Sequence, residues 1–208
     1  MVTCSELRAR ARKMLGNEIF KPRWLFPALA CLIVSGIIAE ASYFGVAIFI
    51  AGPLSLGLAS YYLMIARGGR HNRIHTVFDG FRYRFGTNMV LGLLISLFTL
   101  LWTLLLVVPG IIKSYSYSMA NYIKIDYPDI TANEAITRSR QMMKGYKWAL
   151  FKLDLSFIGW YLFCLVTSGV GTVWIGPYVA AAKTAFYEEL RARQDPFPKT
   201  TNISGIIF

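Results

Sequence analysis

Apolar residues in this chain fall into three long blocks separated by short, strongly basic stretches. Between Trp24 and Ala66 the only charged residue is Glu40, between Met89 and Ile112 there is none, and between Leu153 and Tyr187 there are Asp154 and Lys183. A helix needs about 20 mostly apolar residues to cross about 30 Å of hydrocarbon. Residues 24–66 number 43, and residues 89–127 and 149–187 number 39 each. Each block therefore reads as two helices joined by a tight turn. Turn signals sit near the three middles, at Glu40-Ala41-Ser42, Pro109-Gly110 and Ser168-Gly169-Val170-Gly171.

Each block is preceded by a short amphipathic stretch. Thr3 and Glu6 form a capping box, after which Leu7, Ala11, Met14 and Leu15 share a helix face. Ile74, Val77, Phe78 and Phe81 fall at i, i+3, i+4 and i+7. Thr131 and Glu134 form a second capping box with Ile130 and Ala135 at its staple positions, followed by Ile136, Ser139 and Met143, with Arg138, Arg140 and Lys144 on the wetter side. Basic faces with apolar undersides suit helices lying on an anionic leaflet. The second helix of each block also repeats a theme: Pro53 precedes Tyr61 and Tyr62, Pro109 precedes Tyr115 and Tyr117, and Pro177 precedes Phe186 and Tyr187.

Charge chooses among topologies, because Lys and Arg collect in short cytoplasmic loops. The 22 basic residues form four clusters: six before Trp24, five over residues 67–84, seven over 113–152 and four over 183–199. Only an even number of spans between neighbouring clusters puts all four on one side. The expectation is an all-α membrane protein with six transmembrane helices arranged as three hairpins, each preceded by a short interfacial helix. It is multi-pass in a cytoplasmic membrane, with both termini cytoplasmic. Residues 1–190 form one polytopic domain and 191–208 a mobile tail. The rival arrangement has four spans, with residues 111–127 lying in the interface because they are polar for a span. The composition agrees with a membrane class: 55% hydrophobic and 16% charged, with a mean hydropathy of +0.46, against about 25% charged in soluble domains. Basic residues before the first apolar run read as a retained cytoplasmic segment rather than a cleaved signal.

Ionisable groups within a membrane are costly and mark candidate sites. Asp154 and Lys183 fall at similar depth on facing helices and form a candidate intramembrane pair, with Lys152 as a competing partner. Glu40 and Lys113 are candidate outer-turn charges. Tyr117, Tyr122, Asp126 and Asp129 form a candidate polar cluster towards the inner surface, where Asp126, Asp129 and Glu134 together could attract a cation. His71 and His75 lie four apart without a further ligand, which is too little for a metal site. Cys4, Cys31 and Cys164 fit no disulfide or metal framework. No nucleophile elbow, phosphate loop, HExxH or CxxC motif occurs. The net charge of +11 fits anionic lipid headgroups better than nucleic acid, for which no recognition module is visible.

Four stretches carry a resemblance: "GPLSLGLASYYLMIARG", "VFDGFRYRFG", "LWTLLLVVPGIIKSYSYSMANYIKIDYPDITANEAITRSRQMMKGYKWALFKLDLSFIGW" and "IGPYVAAAKTAFYEEL". Together they resemble the bacterial integral-membrane family known as domain of unknown function 975, over nearly the whole chain up to Leu190. The resemblance implies a multi-span membrane protein, common in Gram-positive bacteria, and no particular activity. The functional expectation is a non-enzymatic membrane component without a cofactor, binding lipid or a partner protein through its interfacial helices. The alternative is a small-solute or ion transporter or channel. A membrane enzyme acting on lipid has the least support.

Overall fold

A computed structural model describes residues 3–15, 22–43, 47–68, 74–82, 84–105, 107–166 and 171–194. Every regular element among them is a helix. In chain order these are α1 (Cys4–Leu15), α2 (Pro22–Tyr43), α3 (Ala47–Ala66), a 3₁₀ helix (Ile74–Phe78), α4 (Asp79–Arg82), α5 (Phe85–Leu105), α6 (Val107–Tyr117), α7 (Ala120–Asp126), α8 (Ala132–Met142), α9 (Lys147–Leu155), α10 (Ile158–Val166) and α11 (Thr172–Gln194). Consecutive apolar helices pack as pairs: α2 on α3, α5 on α6, and α10 on α11.

The breaks between the pairs are set by local chemistry. Ala41, Ser42 and Tyr43 hold no breaker, so α2 runs on to Tyr43, through the turn expected at Glu40–Ser42. Pro109 and Gly110 sit in the first turn of α6, where Pro is tolerated because the first N–H groups lack intrahelical partners. Gly110 has a reason to lack a side chain, since a Cβ there would come within 2.6 Å of the Thr103 Cα on α5. The third expected turn, residues 168–170, lies outside the described residues. Helix α11 continues to Gln194, past the 190/191 boundary, and residues 195–208 lie outside the described ones.

Two of the expected long helices are interrupted. Between α6 and α7 the chain turns at Ser118–Met119, and between α9 and α10 at Ser156–Phe157. At both breaks a serine hydroxyl donates to a carbonyl three residues back, Ser118 to Tyr115 at 2.8 Å and Ser156 to Leu153 at 2.7 Å. Ser114 and Ser116 likewise donate to Ile111 and Ile112. Such back-bonding satisfies the hydroxyls within their own helix and bends it. The polarity that made residues 111–127 look unfit for an apolar environment is thus largely satisfied internally.

All three amphipathic stretches are helical, but their undersides are already occupied. Leu7, Ala11 and Leu15 of α1 and Val77 of the 3₁₀ helix are buried in the main core, Ala135 and Ile136 of α8 in a second, smaller one, and Ser139 of α8 is buried as well. The Thr3 capping box closes in both directions: Thr3 N–H donates to Glu6 at 2.7 Å, and Glu6 N–H to the Thr3 hydroxyl at 3.3 Å. The Thr131 box closes in one direction only. Glu134 N–H donates to the Thr131 hydroxyl, while the Glu134 carboxylate receives Arg138 at 2.7 Å. In the second stretch the 3₁₀ winding changes the angular spacing, so Phe78 points outward instead of joining Val77.

Close backbone approaches knit the centre. Gly52 of α3 and Gly92 of α5 cross so tightly that a Cβ on Gly92 would lie 2.3 Å from the Gly52 Cα. A Cβ on Gly57 would lie 1.8 Å from the Val77 carbonyl oxygen, and one on Gly80 would lie 2.0 Å from that of Pro53. Small residues thus let α3 serve as the post against which α5, the 3₁₀ helix and α4 pack.

Candidate functional site

At one end of the bundle α3, α7 and α11 meet through charge. Arg67, just past α3, donates to both oxygens of Asp126 at the end of α7, at 2.8 and 2.9 Å. Its Nε donates to Glu188 of α11 at 2.8 Å. Asp126 also receives the Tyr187 hydroxyl at 2.6 Å and pairs with Arg191 at 3.1 Å. The Asp126 side chain is only 3% exposed, and Arg67 and Arg191 are mostly covered. Two guanidinium groups face two carboxylates, so this largely buried set is balanced in charge. Burial alone would lower the Arg67 pKa, but Asp126 and Glu188 outweigh it and hold it above its ordinary value. A paired buried carboxylate is tolerable; one stripped of its partner is not.

Tyr122 and Asp126 are four apart on α7 and share a face. The Tyr122 ring stacks on Tyr187 at 5.0 Å, and its hydroxyl lies 3.4 Å from that of Thr184. These two residues of the expected polar cluster therefore converge. The other two do not. Tyr117 lies before the break at Ser118–Met119 and packs in a second apolar core with Leu91 and Ala135, its ring 6.3 Å from Phe98. Asp129 lies beyond the end of α7, is exposed, and pairs with Arg84. The cation idea for Asp126, Asp129 and Glu134 fails on the same geometry, since each carboxylate faces a different guanidinium. Among the described residues no three His, Cys, Asp or Glu side chains converge. His75 is exposed, and His71 lies outside the described residues.

Asp154 and Lys183 do meet, at 3.2 Å between α9 and α11. Tyr115 of α6 adds a hydrogen bond to Asp154 at 3.1 Å, so the carboxylate joins three helices. The side chains are 25% and 37% exposed, which makes this a partly open pair. Lys152 turns elsewhere, its amine 5.8 Å from the Trp148 ring. Lys113 lies 4.4 Å from the Trp102 ring centroid, a cation–π contact between α6 and α5. The Glu40 side chain lies outside the described ones. Cys31 contacts the Tyr62 hydroxyl at 3.1 Å and Cys164 is buried, as small packing residues would be.

Neither motif nor composition marks Arg67 and Arg191, yet the sequence carries a signal for them. Gly52-Pro53 and Gly176-Pro177 lie in the second turns of α3 and α11, and an arginine follows each proline by fourteen positions (67 − 53 and 191 − 177). The two arginines converge on Asp126 from the intervening copy. The loose threefold theme of the sequence thus has a structural meeting point.

No curated protein and no solved structure matches the chain. A family model described as "Protein of unknown function (DUF975)" matches residues 103–194, which include α6 to α11 and hence Asp126, Asp154, Lys183, Glu188 and Arg191. The resembling stretches at 52–68 and 77–86 lie ahead of that match. Over residues 103–194 the chain is therefore similar to this family of unknown function.

Proposed function

We propose that the protein is an integral component of the bacterial cytoplasmic membrane, built of three helical hairpins with every basic cluster on the cytoplasmic side and no catalytic activity of its own. The observation that carries this reading is α5. Phe85–Leu104 has a mean hydropathy of 1.8, yet only 11% of it is buried inside the protein. Leu97, Leu100, Leu101 and Leu104 point outward, as do Val108, Ile111 and Ile112 on α6 and Ile158, Trp160 and Leu162 on α10. An apolar surface of this extent has lipid or protein as its natural partner. The helical hairpins and the internally satisfied serines agree with a bilayer setting, in which backbone polar groups must find partners within the protein.

The non-enzymatic part of the reading rests on the carboxylates: Asp126, Asp154, Glu188 and Glu189 each hold an ion pair. Lipid contact in this reading falls on the outward faces of α5, α6 and α10, because the undersides of the short helices are filled by the core. Membrane fractionation tests the proposal. The protein should stay with membranes through alkaline carbonate and leave them only in detergent; release by carbonate overturns it.

One arrangement favours a second reading, a small transporter. Asp154, Lys183 and Tyr115 form a polar node between three apolar helices, and its partial openness would let an ion or proton reach it. Asp154→Asn should then abolish solute or ion flux in vesicles, while unchanged flux removes this reading.

A further inference from the structure

A cleft of about 240 Å³ opens between the start of α1, the first turns of α9 and the last turns of α11. Its lining is divided by chemistry. Leu7 and Phe186 form a buried apolar floor. Trp148, 64% exposed, forms a wall, stacked on Phe151 at 5.0 Å. Lys152, Glu189 and Arg193 stand at the rim. Arg10 and Arg193 each approach Glu189 at 2.8 Å. In the lining Lys152 and Arg193 stand against the one carboxylate of Glu189, and Arg10 is offset by the nearby Glu6, leaving a surplus of one positive charge. Trp148, Lys152 and Leu155 are spaced i, i+4 and i+7, so they share a face of α9 that leads to the outward Ile158 of α10.

We propose that this cleft holds an anionic phospholipid, its phosphate between Lys152 and Arg193 and its upper chain carbons along Trp148 and Leu155. The inference rests on the membrane reading above and gives that reading a lipid class and a place. The volume supports it. Sites that engulf a drug-sized ligand run to about 300–1,000 Å³, so this cleft admits part of a molecule whose remainder stays outside. A lipid anchored in a bilayer is such a molecule. The cationic surplus selects an anionic headgroup over a zwitterionic one, and a tryptophan beside it suits the headgroup level of a membrane.

The test uses the full chain in vesicles, with Trp148 as the sole tryptophan (Trp24, Trp102, Trp160 and Trp174→Phe) and lipids carrying bromine on their chains as quenchers. Brominated phosphatidylglycerol should quench Trp148 at several-fold lower mole fraction than brominated phosphatidylcholine. Each of Lys152→Gln and Arg193→Gln should weaken that preference by about fivefold, while Lys152→Arg keeps it. Equal quenching by the two lipids, or a preference unchanged in both glutamine variants, overturns the proposal. So does a Trp148 signal that responds to soluble hexaglutamate but not to phosphatidylglycerol, which would assign the cleft to an acidic protein segment. A companion chain with Trp160 as the sole tryptophan separates the two readings. Quenching of Trp160 by either brominated lipid reports insertion alone, so the headgroup assignment can fail while the membrane reading stands.

Discussion

Helices α3 and α5 are nearly matched in apolar character and opposite in fate. Phe49–Ala66 has a mean hydropathy of 1.5 and is 61% buried, whereas Phe85–Leu104 has 1.8 and is 11% buried. The difference lies in side-chain size. Along α3 come Ala51, Gly52, Ser55, Gly57, Ala59 and Ser60, small enough for α2, α5, α7 and α11 to close around it. Helix α5 carries eight leucines among its 21 residues, most of them in its second half, and Gly92 marks the spot where it touches α3. Where the solvent is as apolar as the core, hydropathy does not say which helix is inside; the placement of small residues does.

Four experiments break or sharpen this contrast. The largest effect is expected at the ion set that pins the end of α3. Asp126→Asn leaves Arg67 and Arg191 without their shared carboxylate and should lower stability by about 3–5 kcal/mol, read as an earlier unfolding midpoint in detergent. Next comes a matched pair. Leu54→Ala in α3 removes a fully buried side chain and should cost about 2–5 kcal/mol. Leu104→Ala in α5 removes one that is 83% exposed and should change stability by less than about 0.5 kcal/mol. Equal costs would mean that the outward face of α5 is packed against protein. A smaller loss, about 1–3 kcal/mol, is expected from Gly92→Ala, since the added methyl meets the Gly52 backbone and forces the two helices apart. The smallest effect is pH-dependent. Burial raises the Glu189 pKa, but hydrogen bonds from Arg10 and Arg193 outweigh it and hold the group below its ordinary 4.5. A depressed carboxylate contributes stability above 4.5 that is lost as pH falls through its folded value. The α1–α11 contact should loosen only below pH 4.5, seen as faster amide exchange in α1, and Glu189→Gln should remove that dependence.

Much of the helical framework was legible in the chain. Block lengths near twice a span gave the paired helices, and the Thr3 and Thr131 caps gave the starts of α1 and α8. The meeting of Asp154 with Lys183 followed from counting residues back from a turn. What escaped was governed by three-dimensional crowding or by weak local bonds. Nothing in the hydropathy of residues 111–127 or 149–166 announces the breaks at Ser118 and Ser156, which depend on single hydroxyls. The amphipathic faces of α1 and α8 look the same whether lipid or the protein's own core covers them. Tyr117 and Asp129 lie near Tyr122 and Asp126 in sequence, but a helix break and a helix end send them elsewhere. Arg67 and Arg191 lay hidden because a repeat of two Gly-Pro helices is faint until their ends are seen to meet.

Sidedness is the claim on which the rest stands, and cysteine labelling tests it most directly. With Cys4, Cys31 and Cys164 replaced, single cysteines at His75, Leu100, Val108 and Arg140 are exposed to an impermeant maleimide in intact cells and after permeabilisation. Residue 108 should label from outside, residues 75 and 140 only after permeabilisation, and residue 100 in neither state. Labelling of residue 75 or 140 from the same side as 108, or ready labelling of residue 100, would contradict the account.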